Sequence, residues 1–435
     1  MSTTDKKVLI ITYYWPPSGG SGVQRWLKFV KYLASFGWET YVYTPENPSF
    51  TLQDQSLLKD VPASTEVIKL PIWEPYQLFF KLTRWSGSKQ VKPSDFISTQ
   101  KKTMIQRVSS WIRGNFFIPD ARVFWVKPSV TFLNEFIRSN GITKIITTGP
   151  PHSIHLIGLR LKKKHVKLHW VADFRDPWSE WDLLDTLSLS SIARKRHKDL
   201  ERQVLTTADR VITIAPYHVQ RLEMLGNRKV ELITNGFDED DFQKIEKVKT
   251  SVFTIRHVGI VDQLRDPRPF MQALKQLLLL QPDLKSQLVV EFIGNVNSLF
   301  KDEVTHDALL NDVTRFTDYM PHHQLLETYA HTDLQLLVLA HTAIAPGNLP
   351  GKFFEYLASG NRILAVGPLH GDAANVLRET RAGEIFEPAN VEGIKEELLK
   401  CINAWRNDTS PTQRDVSMYT REELTRQLES LLLSF

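Results

Sequence analysis

A single cysteine, Cys401, stands among 435 residues, so no disulfide can close within the chain. Such scarcity fits a reducing compartment. Also lacking is any apolar run near the roughly 20 residues that span a bilayer. The opening, Met1-Ser-Thr-Thr-Asp-Lys-Lys7, is polar and runs straight into Val8-Leu-Ile-Ile11. It has neither the apolar core nor the small-residue cleavage site of a secretory signal. A cytoplasmic location is the expectation. No zinc-type spacing of cysteine and histidine occurs. The acidic run Asp238-Glu-Asp-Asp241 has no histidine or second acidic cluster to complete a metal shell, and reads as helix capping and linker solvation. No metal site is expected.

What is present describes an ordinary folded chain, 42% apolar and 24% charged, long enough for two domains rather than one core. The formal charge of +5 is unevenly placed. Between Tyr76 and Val130 stand ten lysines and arginines against two acids, Asp95 and Asp120. The same window carries Phe79, Phe80, Trp85, Phe96, Trp111, Phe116, Phe117, Phe124 and Trp125. Two readings stay open: docking on an anionic membrane surface at the inner face, or core aromatics beneath a solvated basic face. No nucleic-acid motif is present, and nucleic acid is not an expected partner.

The pattern predicts an apolar strand at 8–12, a Gly-rich loop, and an amphipathic helix over 23–36 with Trp26, Phe29, Val30 and Leu33 on one stripe. Gly37 ends it, and Thr40–Thr44 is the next strand, so the chain opens with a βαβ unit and a parallel sheet. Further strands are predicted at 144–147, 168–172, 210–214 and 230–233, with helices near 127–138, 153–164, 190–206 and 216–225. A charged linker follows, from Asp238 to Ser251. The alternation then restarts, with strands near 253–258, 288–293, 334–339 and 362–366 and helices near 267–280, 322–330, 350–359 and 391–405. The fold class is therefore α/β: two doubly wound domains, 1–240 with an insertion about 76–130, and 253–410. Residues 411–435 should add a helix packing back across the junction. Ligands of such sheets bind beyond the carboxyl ends of the strands, here in a cleft between two facing domains.

The stretch Pro346-Gly-Asn-Leu-Pro-Gly-Lys-Phe-Phe-Glu355 carries the most chemistry. A Gly/Pro loop with Gly347, Asn348 and Leu349 opens a short helix, whose first N–H groups and dipole favour a phosphate. Lys352 and Glu355 share a face and could hold that phosphate and a sugar hydroxyl, or merely form an exposed ion pair. His257-Val-Gly259 ends a strand, and Arg265 and Arg268 follow as candidates to clamp a diphosphate. In the first domain, Gly20-Ser-Gly22 supplies G-x-G, but Arg25 takes the third glycine's place and no acidic partner ends the second strand, which argues against a nicotinamide oxidoreductase. His152 lies after a strand in Gly149-Pro-Pro-His152. Asp173 and Asp176 flank Arg175 in another such loop, where mutual pairing is the alternative to a ligand role.

In order, the Gly-rich loop, the turn Asn235-Gly-Phe-Asp238, the strand glycine ahead of a basic residue, and Lys352-Phe-Phe-Glu-Tyr-Leu-Ala-Ser-Gly360 resemble family 4 (group 1) glycosyltransferases over nearly the whole chain. The resemblance implies the GT-B fold with two Rossmann-like domains. It also implies retaining transfer from a nucleotide-diphosphate sugar, used as substrate, with no metal and no other cofactor. The first domain would take a glycan or lipid-linked acceptor and the second the nucleotide sugar, in cell-surface polysaccharide or glycolipid synthesis. Carried over by residue, Gly19, Gly20 and Gly22 line the acceptor and phosphate side. Arg265 matches the basic residue on the diphosphate, and Glu355 the second glutamate of an E-x7-E pair. Three departures stand out. Gly347 replaces the first glutamate, Ile260 replaces an arginine after the strand glycine, and Arg175-Asp176 stands where a histidine-aspartate element belongs. The mechanism so implied places Arg265, Lys352 and the helix start on the departing diphosphate, with Asp173 or Asp176 orienting the acceptor. A nucleotide-sugar epimerase and a non-catalytic membrane-docking scaffold are the alternatives.

Overall fold

A computed structural model describes residues 6–49, 52–74, 104–243, 245–409 and 414–435. The aromatic and basic residues from Tyr76 to Phe96 thus lie outside the described residues. The chain divides into two units, one comprising residues 1–234 with 424–435 and the other residues 235–423.

The first unit is built on β1 (Lys7–Ile11), β2 (Glu39–Pro45), β3 (Glu66–Leu70), β4 (Lys144–Gly149), β5 (His169–Phe174), β6 (Arg210–Thr213) and β7 (Glu231–Leu232). Their order is 3-2-1-4-5-6-7, and every pairing is parallel. Strands such as Val8-Leu-Ile-Ile11 and Ile145-Ile-Thr-Thr148 are buried throughout, because helices cover both faces of the sheet. On one face, the helix Ser21–Ser35 buries Val23, Trp26, Leu27, Val30 and Leu33, and the helix Arg421–Leu433 adds Leu424, Leu428 and Leu432 to the same core. On the other, the helices Val123–Ser139 and Ser153–Lys164 contribute Trp125, Leu133, Ile154 and Ile157.

The second unit repeats the plan with β8 (Phe253–Val258), β9 (Leu288–Ile293), β10 (Thr314–Thr317), β11 (Leu334–Val338), β12 (Arg362–Val366) and β13 (Gly383–Phe386), in the order 10-9-8-11-12-13. The order reverses direction between β1 and β4 in the first sheet and between β8 and β11 in the second. At these switch points neighbouring connections leave in opposite directions and open a crevice at the strands' carboxyl ends. The helix Arg268–Leu280 buries Phe270, Leu274 and Leu277 against this sheet, joined by Ile394, Leu398 and Ile402 of the helix Val391–Arg406.

Candidate functional site

In the second unit, β8 ends at Val258 and the next residue, Gly259, has φ +117°, a conformation that favours glycine. Gly294, after β9, has φ +124°, and a Cβ there would lie 2.6 Å from the Gly259 carbonyl oxygen. Two glycines thus let the ends of adjacent strands pack closely. Asp262 closes the following turn: Oδ1 accepts from the N–H groups of Leu264 (3.0 Å) and Arg265 (2.8 Å), and Oδ2 pairs with the Arg265 guanidinium at 2.9 Å.

The helix Gly351–Ala358 enters this corner. Pro350 takes the N-cap position in extended backbone, so the helix begins one residue later than the span expected from sequence, and no side chain caps the first turn. Gly360, at φ +70°, stops the helix. Both polar groups of Val258 are taken by side chains of this helix: its N–H donates to the Tyr356 hydroxyl at 2.9 Å, and its carbonyl accepts from Lys352 Nζ. His257 supports the same ammonium. Its Nδ1 faces the Leu336 carbonyl at 3.0 Å, which makes Nδ1 the donor and leaves Nε2 as an acceptor 3.4 Å from Lys352 Nζ. A Cβ at Gly259 would come within 3.3 Å of Lys352 Nζ, so glycine also leaves the ammonium room. Burial, reinforced by the nearby Arg265 charge, lowers the Lys352 pKa to about 7.

Glu355 lies three residues on. His322 Nε2 meets its Oε1 at 3.1 Å, and the Tyr329 hydroxyl donates to Oε2 at 2.8 Å. Burial alone would raise its pKa, but the His322 charge and hydrogen bond, the Tyr329 hydroxyl and the Arg421 charge hold it below the usual carboxylate value. In the loop ahead, Gly347 and Leu349 are buried, so Leu349 offers a ligand only its backbone, and Asn348 is the half-exposed member. The Leu349 carbonyl accepts from Asn235 Nδ2 at 3.5 Å, which ties the Asn-Gly-Phe-Asp turn to this loop.

Arg268 requires a correction. Its guanidinium is engaged by Glu303 at 2.6 and 2.9 Å and by Asp266 at 3.0 Å, so it is committed to surface carboxylates rather than joining Arg265 in a clamp.

In the first unit, the glycine loop follows β1. Gly20 has φ +90° and precedes the helix Ser21–Ser35. Arg175 fastens this loop to the one after β4, donating to the Gly22 carbonyl at 2.9 Å, the Gly149 carbonyl at 3.2 Å and the Pro150 carbonyl. Gly19, Gly20, Gly22 and Arg175 are therefore brought together, at the switch point between β1 and β4. Asp173 is a second correction. It is fully buried, and its carboxylate accepts from Arg25 Nε (3.2 Å), Arg25 Nη2 (3.0 Å), Trp26 Nε1 (2.7 Å) and Thr148 Oγ1 (2.9 Å). With four donors around it and no exposed surface, it cannot meet a ligand, and its partner is Arg25 rather than Arg175. Asp176 is half-buried. His152 is a third correction: it is buried and stacked on Trp178, with ring centroids 5.2 Å apart and planes 5° from parallel. Burial drives its pKa well below the usual histidine value.

His257, Asp262, Tyr356, His322 and Tyr329 were not legible as site residues. His257 reads as an ordinary strand position. A signal for the Glu355 pair did exist, since His322 and Tyr329 stand seven residues apart, two turns along one helix face.

No protein-family model matches the chain. A D-inositol 3-phosphate glycosyltransferase of Streptosporangium roseum is 27% identical over 154 residues, which are 32% of this chain and 35% of that relative. The chain thus spans about a third of the length of the curated relative it matches. Among solved structures, a glycosyltransferase from Rickettsia africae ESF-5 superposes with a TM-score of 0.64 at 12% identity, over 98% of both chains. The E. coli trehalose-6-phosphate structure bound with UDP-2-fluoro glucose superposes at 0.60 with 11% identity, over 99% of both. At these identities the likeness establishes the architecture: two parallel-sheet α/β domains, of seven and six strands, of the GT-B kind found in glycosyltransferases.

Proposed function

We propose that the protein is a glycosyltransferase that moves a sugar from a nucleotide-diphosphate donor to a hydroxyl of a glycan or lipid-linked acceptor, with retention of anomeric configuration. Its place would be the synthesis of a cell-surface polysaccharide or glycolipid, at the cytoplasmic face of an anionic membrane. The observation that carries this reading is the Lys352 ammonium, held by Val258 and His257 beside Gly259 and the uncapped start of the helix Gly351–Ala358. The glycosyltransferase relative and the fold shared with a structure that holds a nucleotide sugar support it.

As the anomeric C–O bond breaks, its electron pair moves onto the diphosphate oxygen. Lys352, Arg265 and the first N–H groups of the helix stabilise that charge, the role a metal ion plays in other transferases. Glu355, fixed by His322 and Tyr329, accepts from a ribose hydroxyl. The acceptor hydroxyl attacks from the face the diphosphate leaves, and its proton passes to the departing diphosphate oxygen. Asp176, the more accessible of the two β5-end carboxylates, orients it beside the Gly19–Gly22 loop.

Replacing Lys352 and Arg265 together by alanine is expected to lower turnover about a thousandfold or more, since one such donor is commonly worth 10²–10³. Far-ultraviolet circular dichroism should stay unchanged. Turnover equal to wild type in the folded double variant removes the mechanism. Product analysis with donor alone separates transfer from epimerisation, because an epimerase converts the donor without any acceptor.

A further inference from the structure

We propose that the helix Met104–Phe116, continued by aromatic side chains at the start of the helix Val123–Ser139, is a docking face for an anionic phospholipid bilayer. This deepens the membrane reading above and rests on it for the source of the acceptor, while its evidence is independent of sugar transfer.

An amphipathic helix on a soluble domain ordinarily turns its apolar stripe inward. This one does the reverse. Its contact with the domain is made through its small, polar edge: a Cβ on Gly114 would lie 2.7 Å from the Leu189 side chain and 2.9 Å from that of Leu187. Asn115 secures the same edge, donating to the Ser188 carbonyl at 3.4 Å and accepting from the Ser190 N–H at 2.9 Å. Met104, Val108, Trp111, Ile112 and Phe116, spaced at i, i+4, i+7, i+8 and i+12, form a stripe that stays exposed, 79% at Met104 and 67% at Phe116. Aromatic contacts extend it. Trp111 meets Phe116 at 5.7 Å between centroids, Phe117 meets Phe124 at 5.8 Å, and Phe124 meets the exposed Trp73 at 4.9 Å. Contiguous apolar surface of this kind marks an interaction site.

Charge decides the occupant. Residues 104–119 contain Arg107 and Arg113 and no acid. The neighbouring helix Ser191–Thr207 adds exposed Lys195 and Arg196 one turn on from Ile192, itself 80% exposed, with the exposed Asp199 a further turn along. A second copy of the chain, joined about a two-fold axis, would set arginine against arginine. A bilayer rich in anionic headgroups supplies the opposite charge, and exposed tryptophan and phenylalanine suit the headgroup boundary. Among the described residues no helix is long and apolar enough to cross a membrane, so the helix would lie in the plane of the surface.

The test is co-sedimentation of the full chain with vesicles of phosphatidylcholine alone or mixed with phosphatidylglycerol, at low and high salt. Wild type should pellet with the mixed vesicles at low salt and stay in solution with phosphatidylcholine. W111E/F116E should lower the partition at least about tenfold. R107E/K195E should lower it by about fivefold or more for each reversed charge, near 1 kcal/mol apiece. L279E/L280E, at an exposed apolar pair of the other unit, should pellet as wild type does. Wild type left in solution with anionic vesicles, helix variants that pellet fully, or equal loss in L279E/L280E would each overturn the proposal. No arm uses a nucleotide sugar, so failure here leaves the transferase reading standing, and the converse holds.

Discussion

The carboxylate of Asp173 illustrates what residue type alone conceals. Beside Arg175 at the end of a strand it looks like a ligand-binding group, yet it forms a buried ion pair with Arg25, the residue that breaks the dinucleotide motif. Arg25 spends its remaining donors on the carbonyls of Ile233 and Thr234, at 2.9 and 2.7 Å, so the pair ties the first helix, β5 and the chain beyond β7 together. Removing one partner strands a buried charge. Asp173→Asn should therefore destabilise the protein by about 3–5 kcal/mol, read as a lower denaturant midpoint. A loss under about 1 kcal/mol would show that the pair is not the anchor described. At Lys352 the effect is on activity. With its pKa lowered to about 7, the ammonium is charged below that pH and neutral above it. For the free enzyme, kcat/KM should fall as pH rises through about 7, and Lys352→Arg, charged at every working pH, should abolish that limb. A wild-type profile flat from pH 6 to 9 would exclude Lys352 from diphosphate binding.

At the scale of elements, the residue content of each strand explains what could be read ahead of the structure. The strands β8, β9 and β12 coincide with the spans expected from sequence; in β9 and β12 this is because burial leaves short runs of leucine, valine and isoleucine. The strands that sequence did not show, β3, β10 and β13, lie at sheet edges and mix Glu66, Lys69, Arg315 and Glu384 into short segments. The corner around Lys352 was legible because proline, glycine and a short amphipathic run mark a helix start locally. Its supports were not, since His257 and His322 reach it from elsewhere in the fold. The helix Arg421–Leu433 carries a further expectation. Leu428 is fully buried in the first unit's core, and Glu429 accepts from Trp38 Nε1 and Lys6 Nζ, each at 2.9 Å. Leu428→Ala should cost about 2–5 kcal/mol in chemical denaturation, and an unshifted midpoint would mean that this helix adds little to that core.

At the scale of the whole molecule, histidines held neutral by burial among the described residues include His152, His155, His197 and His218 in the first unit and His257 in the second. Their folded-state values are depressed, to about 3 for His155 and about 4 for His197 and His218. The unfolded chain binds these protons near pH 6.5 and the folded one does not. Their contribution is therefore complete above that pH and declines as pH falls toward 4, by up to about 1.4 kcal/mol per pH unit for each group. The thermal melting temperature should therefore drop sharply as pH falls from 6.5 to 5. A midpoint unchanged at pH 5 would contradict their neutral burial.

The core of the first unit is completed by residues 424–435, which are translated only after all of the second unit. During synthesis, the seven-stranded sheet would emerge with Val8, Ile10 and Trp26 still missing the leucines that cover them. Those side chains must wait, shielded by a chaperone or by partial collapse, until some 190 further residues have left the ribosome.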